Sequence, residues 1–178
     1  CCGWRCWRCS ARRWREFWPM GLAAMDLLTE LTDLIKVLDE NEIDYALCGG
    51  LALAVYARPR ATLDIDIMVM PDSVDIIKKK VEELGFTVPA MPMKFKGGAV
   101  QIHRITKLDS ELGEHLVLDL LIVTPETKLS WDSRVSVEWE GGALKVVSPK
   151  GLIELKSLRK SGQDEDDIKY LSGLIDEN

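Results

Sequence analysis

Leu27, Leu28, Leu31, Leu34, Ile35 and Leu38 recur at the three- and four-residue spacing of one helical face, with acids, threonines and a lysine between them. This spacing predicts a helix over 25–41. Asn41-Glu42 ends the period, and Tyr45-Ala46-Leu47-Cys48 follows as a short apolar strand that runs into Gly49-Gly50, where a second helix over 51–57 begins. From Leu63 to Met70 the period changes to two: Leu63, Ile65, Ile67 and Val69 fall on one face of a strand, Asp64, Asp66 and Met68 on the other. A helix over 72–84 is expected next, opened by Pro71 and Asp72, with Val74, Ile77, Val81 and Leu84 turned inward and Gly85 as its stop.

Strand patterns return at 99–105 and 115–123. Residues 134–139 and 144–147 flank Gly141-Gly142, a pair suited to a tight hairpin turn. Ser148-Pro149 supplies a cap and a first-turn proline for another helix, and a last acidic helix starts near Asp164. The order predicts an α/β (α+β) domain, a mixed β-sheet flanked by helices, with no internal repeat.

A chain of 178 residues, 47% of them hydrophobic, is the size of one domain with a real core. The formal charge of -6 argues against broad binding to DNA phosphates, which needs an excess of Lys and Arg. The charge is uneven. Residues 1–24 hold five arginines and one glutamate, a net of +4, so the remainder carries -6 minus 4, or -10. That segment also holds Cys1, Cys2, Cys6 and Cys9 and four of the six tryptophans, without helical or strand period. It reads as lying outside the domain, which then spans 25–178. A vector-derived or wrongly translated upstream stretch fits best, since Met25 opens a clean amphipathic helix; a basic arm for RNA or membrane and a zinc site are the alternatives. Zinc is disfavoured because Cys6-x-x-Cys9 lacks a second well-spaced pair. Cys48 reads as a small buried hydrophobe. No apolar run approaches the roughly 20 residues that span a bilayer, so no membrane role and a reduced, cytoplasmic setting are expected.

The chemistry is carried by acids. Residues i and i+2 of a strand share a face, so Asp64 and Asp66 lie side by side and repel unless a cation sits between them. A solvated strand face is the bland alternative. Asp119 stands in Leu116-Val117-Leu118-Asp119-Leu120-Leu121-Ile122-Val123, apolar on both faces and therefore a central strand. A carboxylate buried there needs either a metal or a nearby Arg or Lys. Three acids on adjoining strands would suit magnesium, which prefers hard oxygen ligands. Gly49-Gly50, between a strand and a helix, allows backbone N–H groups to approach a triphosphate.

Gly49-Gly50-Leu51-Ala52-Leu53-Ala54, then Arg60-Ala61-Thr62-Leu63-Asp64-Ile65-Asp66, then the distant Asp119 closely resemble the polymerase β-type nucleotidyltransferase superfamily, in particular its AbiEii-like and minimal nucleotidyltransferase branches. The resemblance spans about 25–170. It implies the nucleotidyltransferase fold, with Gly49 and Gly50 at the NTP phosphates, Asp64 and Asp66 holding two Mg²⁺ ions, and Asp119 completing the metal site and helping to deprotonate the attacking hydroxyl. Lys156 would correspond to the basic residue near the phosphates, and Asp164 and Asp167 to a terminal acidic element. An in-line displacement gains from two metals, one on the attacking oxygen and one on the leaving pyrophosphate.

Arg58 and Arg60 are further candidates for phosphate and Thr62 for orienting an acid. His103 and His115 read as ordinary strand residues, Trp131 and Trp139 as packing over the hairpin rather than stacking on a base. Longer members of the superfamily carry an extra helical domain that helps to place the acceptor. The resemblance therefore leaves the acceptor open among a small molecule, a tRNA end or other RNA, and a protein. A partner protein, such as the second member of a toxin and antitoxin pair, could supply the acceptor surface. A non-catalytic module that binds a nucleotide or partner on the same fold is the alternative function.

Overall fold

The computed structural model describes residues 26–56, 62, 64–110, 113–139, 142–159 and 162–176. The expectations for residues 1–24, for Arg58 and Arg60 and for Gly141 lie outside the described residues.

Asp26 caps the first helix, α1 (Leu27–Glu40), by accepting the Leu28 N–H at 3.2 Å, and Leu27, Leu31, Leu34, Ile35 and Leu38 are buried along its stripe. Five such side chains, each contributing about 1.5–3 kcal/mol of apolar burial, hold the helix in the core. Strand β1 (Tyr45–Leu47) leads into α2 (Gly49–Val55), which begins at the diglycine itself, two residues earlier than expected. Strand β2 (Asp64–Val69) follows, buried at Ile65, Ile67, Met68 and Val69.

The helix expected over 72–84 is shorter. A 3₁₀ turn at Pro71–Ser73 precedes α3 (Val74–Val81), and turns complete the path to Gly85. Lys78, Lys79 and Lys80 favour the negative end of the helix dipole, whereas Glu82 and Glu83 beyond them oppose its extension.

Strands β3 (Phe86–Pro89) and β4 (Met93–Phe95) were not anticipated; both pair with the long β5 (Val100–Asp109). Pro89 and Pro92 break the alternation that would have signalled a strand, and their place at the sheet edge tolerates the missing donors. Strand β6 (Glu114–Ile122) pairs antiparallel with β5 from Ile102↔Leu121 to Asp109↔Glu114. The short α4 (Lys128–Asp132), also unforeseen, precedes the hairpin of β7 (Val135–Trp139) and β8 (Gly142–Val146). Trp131 is buried, with the Arg134 guanidinium 3.7 Å over its ring, which is the packing role expected of it. Helix α5 (Pro149–Arg159) is capped by Ser148 Oγ, which accepts from the Gly151 N–H at 3.2 Å, and α6 (Gly162–Asp176) is the last described element.

The eight strands form one mixed sheet in the order β3-β5-β6-β2-β1-β8-β7, with β4 also on β5. The β2–β6 and β1–β8 pairs are parallel and the rest antiparallel. Among the described residues no helix is long and apolar enough to cross a membrane.

Candidate active site

The parallel register of β2 and β6 sets Asp66 opposite Asp119, and Asp64 opposite Val117 two residues earlier. Directly paired residues share a face, and so do i and i+2, so all three acids stand on one side of the sheet. Asp119 is only 3% exposed, while Asp64 and Asp66 are half-buried at the mouth of the same face.

The diglycine is built into this arrangement more tightly than its sequence suggests. Cys48 donates its N–H to the Asp66 carbonyl at 2.9 Å, which continues the β1–β2 register and brings the next residue, Gly49, against the Asp66 side chain. Gly49 has φ +63, and a Cβ there would stand 2.5 Å from Asp66 Cγ and 2.7 Å from Asp66 Cβ. The missing side chain thus makes room for the Asp66 carboxylate itself. A Cβ on Gly50 would meet the Thr62 side chain at 3.1 Å, so the second glycine seats the residue that leads into β2. Thr62 Oγ1 accepts from the Asp64 N–H at 3.4 Å, a long contact that orients the strand entrance.

Asp119 has a partner that the sequence reading foresaw only as a class. The antiparallel register of β5 places Arg104 opposite Asp119, and its Nε and Nη2 donate to the two carboxylate oxygens at 2.8 and 2.7 Å. These hydrogen bonds hold the guanidinium still more firmly charged than usual; burial opposes them, and the charges of Asp119, Asp64 and Asp66 reinforce them. The signal for Arg104 was present: an arginine inside a strand, in reach of a buried aspartate.

Lys156 is paired within the protein. It is 8% exposed and donates to Asp164 at 3.3 Å and Asp167 at 2.9 Å, tying α5 to α6. The three form a buried ionic cluster, so the basic residue and the terminal acidic element of the resemblance are partners of each other. They nevertheless belong to the site, because Lys156 and Asp164 line the same cleft as Cys48, Gly49, Asp66 and Asp119. Ile102 and Leu121 from the sheet and Leu152 and Leu155 from α5 form its apolar wall. The cleft is small, about 60 Å³.

A larger hollow of about 430 Å³ lies between Lys96–Ala99 and Thr124–Glu126. It contains none of the predicted residues, whereas Asp66 and Asp119 both line the smaller cleft. His103 lies 3.1 Å from Lys78 and His115 is exposed; neither lines the cleft.

By type the three carboxylates are the hard oxygen donors that a divalent cation takes, but a guanidinium already serves as counter-ion to one of them. As the side chains stand, no three acidic, histidine or cysteine side chains among the described residues are gathered closely enough to hold an ion. The Arg104 pair accounts for Asp119, both of whose oxygens are engaged.

No protein-family model matches the chain, and no curated protein does. Solved structures do. The lincosamide antibiotic adenylyltransferase LnuA, bound to lincomycin, is 17% identical with a TM-score of 0.53, over 81% of this chain and 95% of that one. A protein of Thermotoga maritima named as a candidate nucleotidyltransferase is 15% identical with a TM-score of 0.54, over 89% and 98%. ANT(2")-Ia in complex with adenylyl-2"-tobramycin is 14% identical with a TM-score of 0.55, over 83% and 88%. At these identities the likeness is one of fold: this chain has the mixed-sheet fold of nucleotidyltransferases.

Proposed function

We propose that this chain is a magnesium-dependent nucleotidyltransferase that moves a nucleoside monophosphate from an NTP to a hydroxyl. The observation that carries the reading is the shared face of Asp64, Asp66 and Asp119 beside Gly49. In the reaction the acceptor oxygen bonds to the α-phosphorus, the bond from that phosphorus to the β-phosphate oxygen breaks, and pyrophosphate leaves with the electron pair. Bound Mg²⁺ would supply charge for both the attacking and the leaving oxygen. Asp64, Asp66 and Asp119 would hold it, and Asp119 takes the hydroxyl proton. Gly49 and Gly50 present first-turn N–H groups of α2 to the phosphates. Thr62, at the entrance to β2, and Arg60 would assist at the phosphates, while Lys156 ties α5 to α6 beside the cleft through Asp164 and Asp167.

A small-molecule hydroxyl is the favoured acceptor, since structures of similar fold are bound to lincomycin and to adenylylated tobramycin. RNA and protein acceptors, the latter in a toxin and antitoxin setting of the AbiEii kind, are the other outcomes of the same assay. The protein is incubated with each α-labelled NTP, Mg²⁺ and fractionated cell extract. Label should pass to an acceptor, and Asp64→Asn and Asp119→Asn should abolish transfer while leaving the fold intact. Absence of transfer together with absence of nucleotide binding refutes the reading. One observation favours a second reading, a non-catalytic nucleotide-binding module: Arg104 already neutralises Asp119. Nucleotide binding that survives Asp119→Asn, with no turnover in the parent protein, is its signature.

A further inference from the structure

We propose that Arg104 is a placeholder cation: its guanidinium holds Asp119 in the metal-free site and must release it before a divalent ion can use that carboxylate. The inference rests on the metal-dependent reading above and adds a positioning residue to it. Both oxygens of Asp119 accept from one guanidinium, at 2.8 and 2.7 Å, so an ion shared with Asp66, its pair on the neighbouring strand, would have to compete with that fork. The pair is asymmetric: the Asp119 side chain is 5% exposed and the Arg104 side chain 36%. The carboxylate is buried in the sheet, whereas the arginine side chain is partly exposed and has solvent to turn toward. Ion binding therefore has a built-in competitor, and the acid that meets the acceptor hydroxyl stays masked until the ion is in place.

Arg104 is not a phosphate-side residue. The sheet order β5-β6-β2-β1 puts two strands between it and Gly49, roughly 14 Å at about 4.8 Å per strand. Its partner is Asp119, and the hypothesis predicts competition at that carboxylate alone.

The test is a Mn²⁺ titration of the full chain, with free ion read by electron paramagnetic resonance, in the parent protein, Arg104→Gln, Asp119→Asn and the double variant. Removing a bidentate charge-assisted pair should tighten Mn²⁺ binding roughly tenfold or more in Arg104→Gln. In the Asp119→Asn background the same change should matter less than about twofold, because there is nothing left to compete for. An equal gain in both backgrounds means that Arg104 acts only as a charge through space, and overturns the placeholder. Unchanged or weaker binding in Arg104→Gln, with the parent protein still binding, also overturns it and leaves the metal-dependent reading standing. If neither binds Mn²⁺, both fall. Arg104→Lys, which keeps the charge and loses the fork, should bind more tightly than the parent; equality with the parent counts against the proposal.

Discussion

Substituting alanine at Gly49 tests whether the diglycine serves Asp66. Two effects add. Gly49 has φ +63, where a Cβ costs about 1–2 kcal/mol. The new methyl would also stand 2.5 Å from Asp66 Cγ and 2.7 Å from its Cβ, well inside contact distance. Asp66 is anchored through its carbonyl by the Cys48 N–H, so the strand cannot slide away freely, and relief of such overpacking costs about 1–3 kcal/mol more. The expected loss for Gly49→Ala is therefore about 2–5 kcal/mol. Gly97 provides the control, with φ +67 and nothing within 4 Å of a Cβ, so Gly97→Ala should cost only the conformational part, about 1–2 kcal/mol. Equilibrium urea unfolding of both variants measures the difference. Equal losses would refute the claim that Gly49 exists to seat the Asp66 carboxylate.

The other expectations follow from contacts already described. Lys156→Met leaves Asp164 and Asp167 buried without their shared cation and should destabilise by about 3–5 kcal/mol in urea unfolding; a loss under about 1 kcal/mol would contradict a buried ionic clamp. Ser148→Ala removes the cap of α5 and should cost about 1 kcal/mol by the same method, with no loss meaning that the Gly151 N–H finds another acceptor. His103 titrates below its ordinary 6.5, first because burial disfavours the cation and then because Lys78 repels it. Below that value the unfolded chain binds the proton more readily than the folded one, so stability falls as pH drops through this window. His103→Gln should flatten that fall, read as urea midpoints on either side of it; an unchanged slope assigns the dependence to other groups.

Most elements were legible because their periods were clean. The α1 stripe, the alternation of β2 and the doubly apolar run around Asp119 each specify which face is buried, and those faces in turn put the three acids together. The shortfalls have local causes. β3 and β4 occupy a sheet edge where Pro89 and Pro92 remove the alternating pattern, and α4 is five residues long, too short to show a period. The partner of Asp119 was legible as a type and not as a residue, since which arginine faces it depends on the β5–β6 register. The partners of Lys156 were not legible as such, because no spacing reveals a tertiary contact in which Asp164 and Asp167 on the next helix fold back onto it.

Crystals soaked with Mn²⁺ and a non-hydrolysable NTP analogue, examined by anomalous scattering at the manganese edge, bear most directly on the shared acidic face. The account predicts manganese between Asp64, Asp66 and Asp119, with the triphosphate toward Gly49. A nucleotide bound with its metal elsewhere, or with the three carboxylates bare, would contradict it.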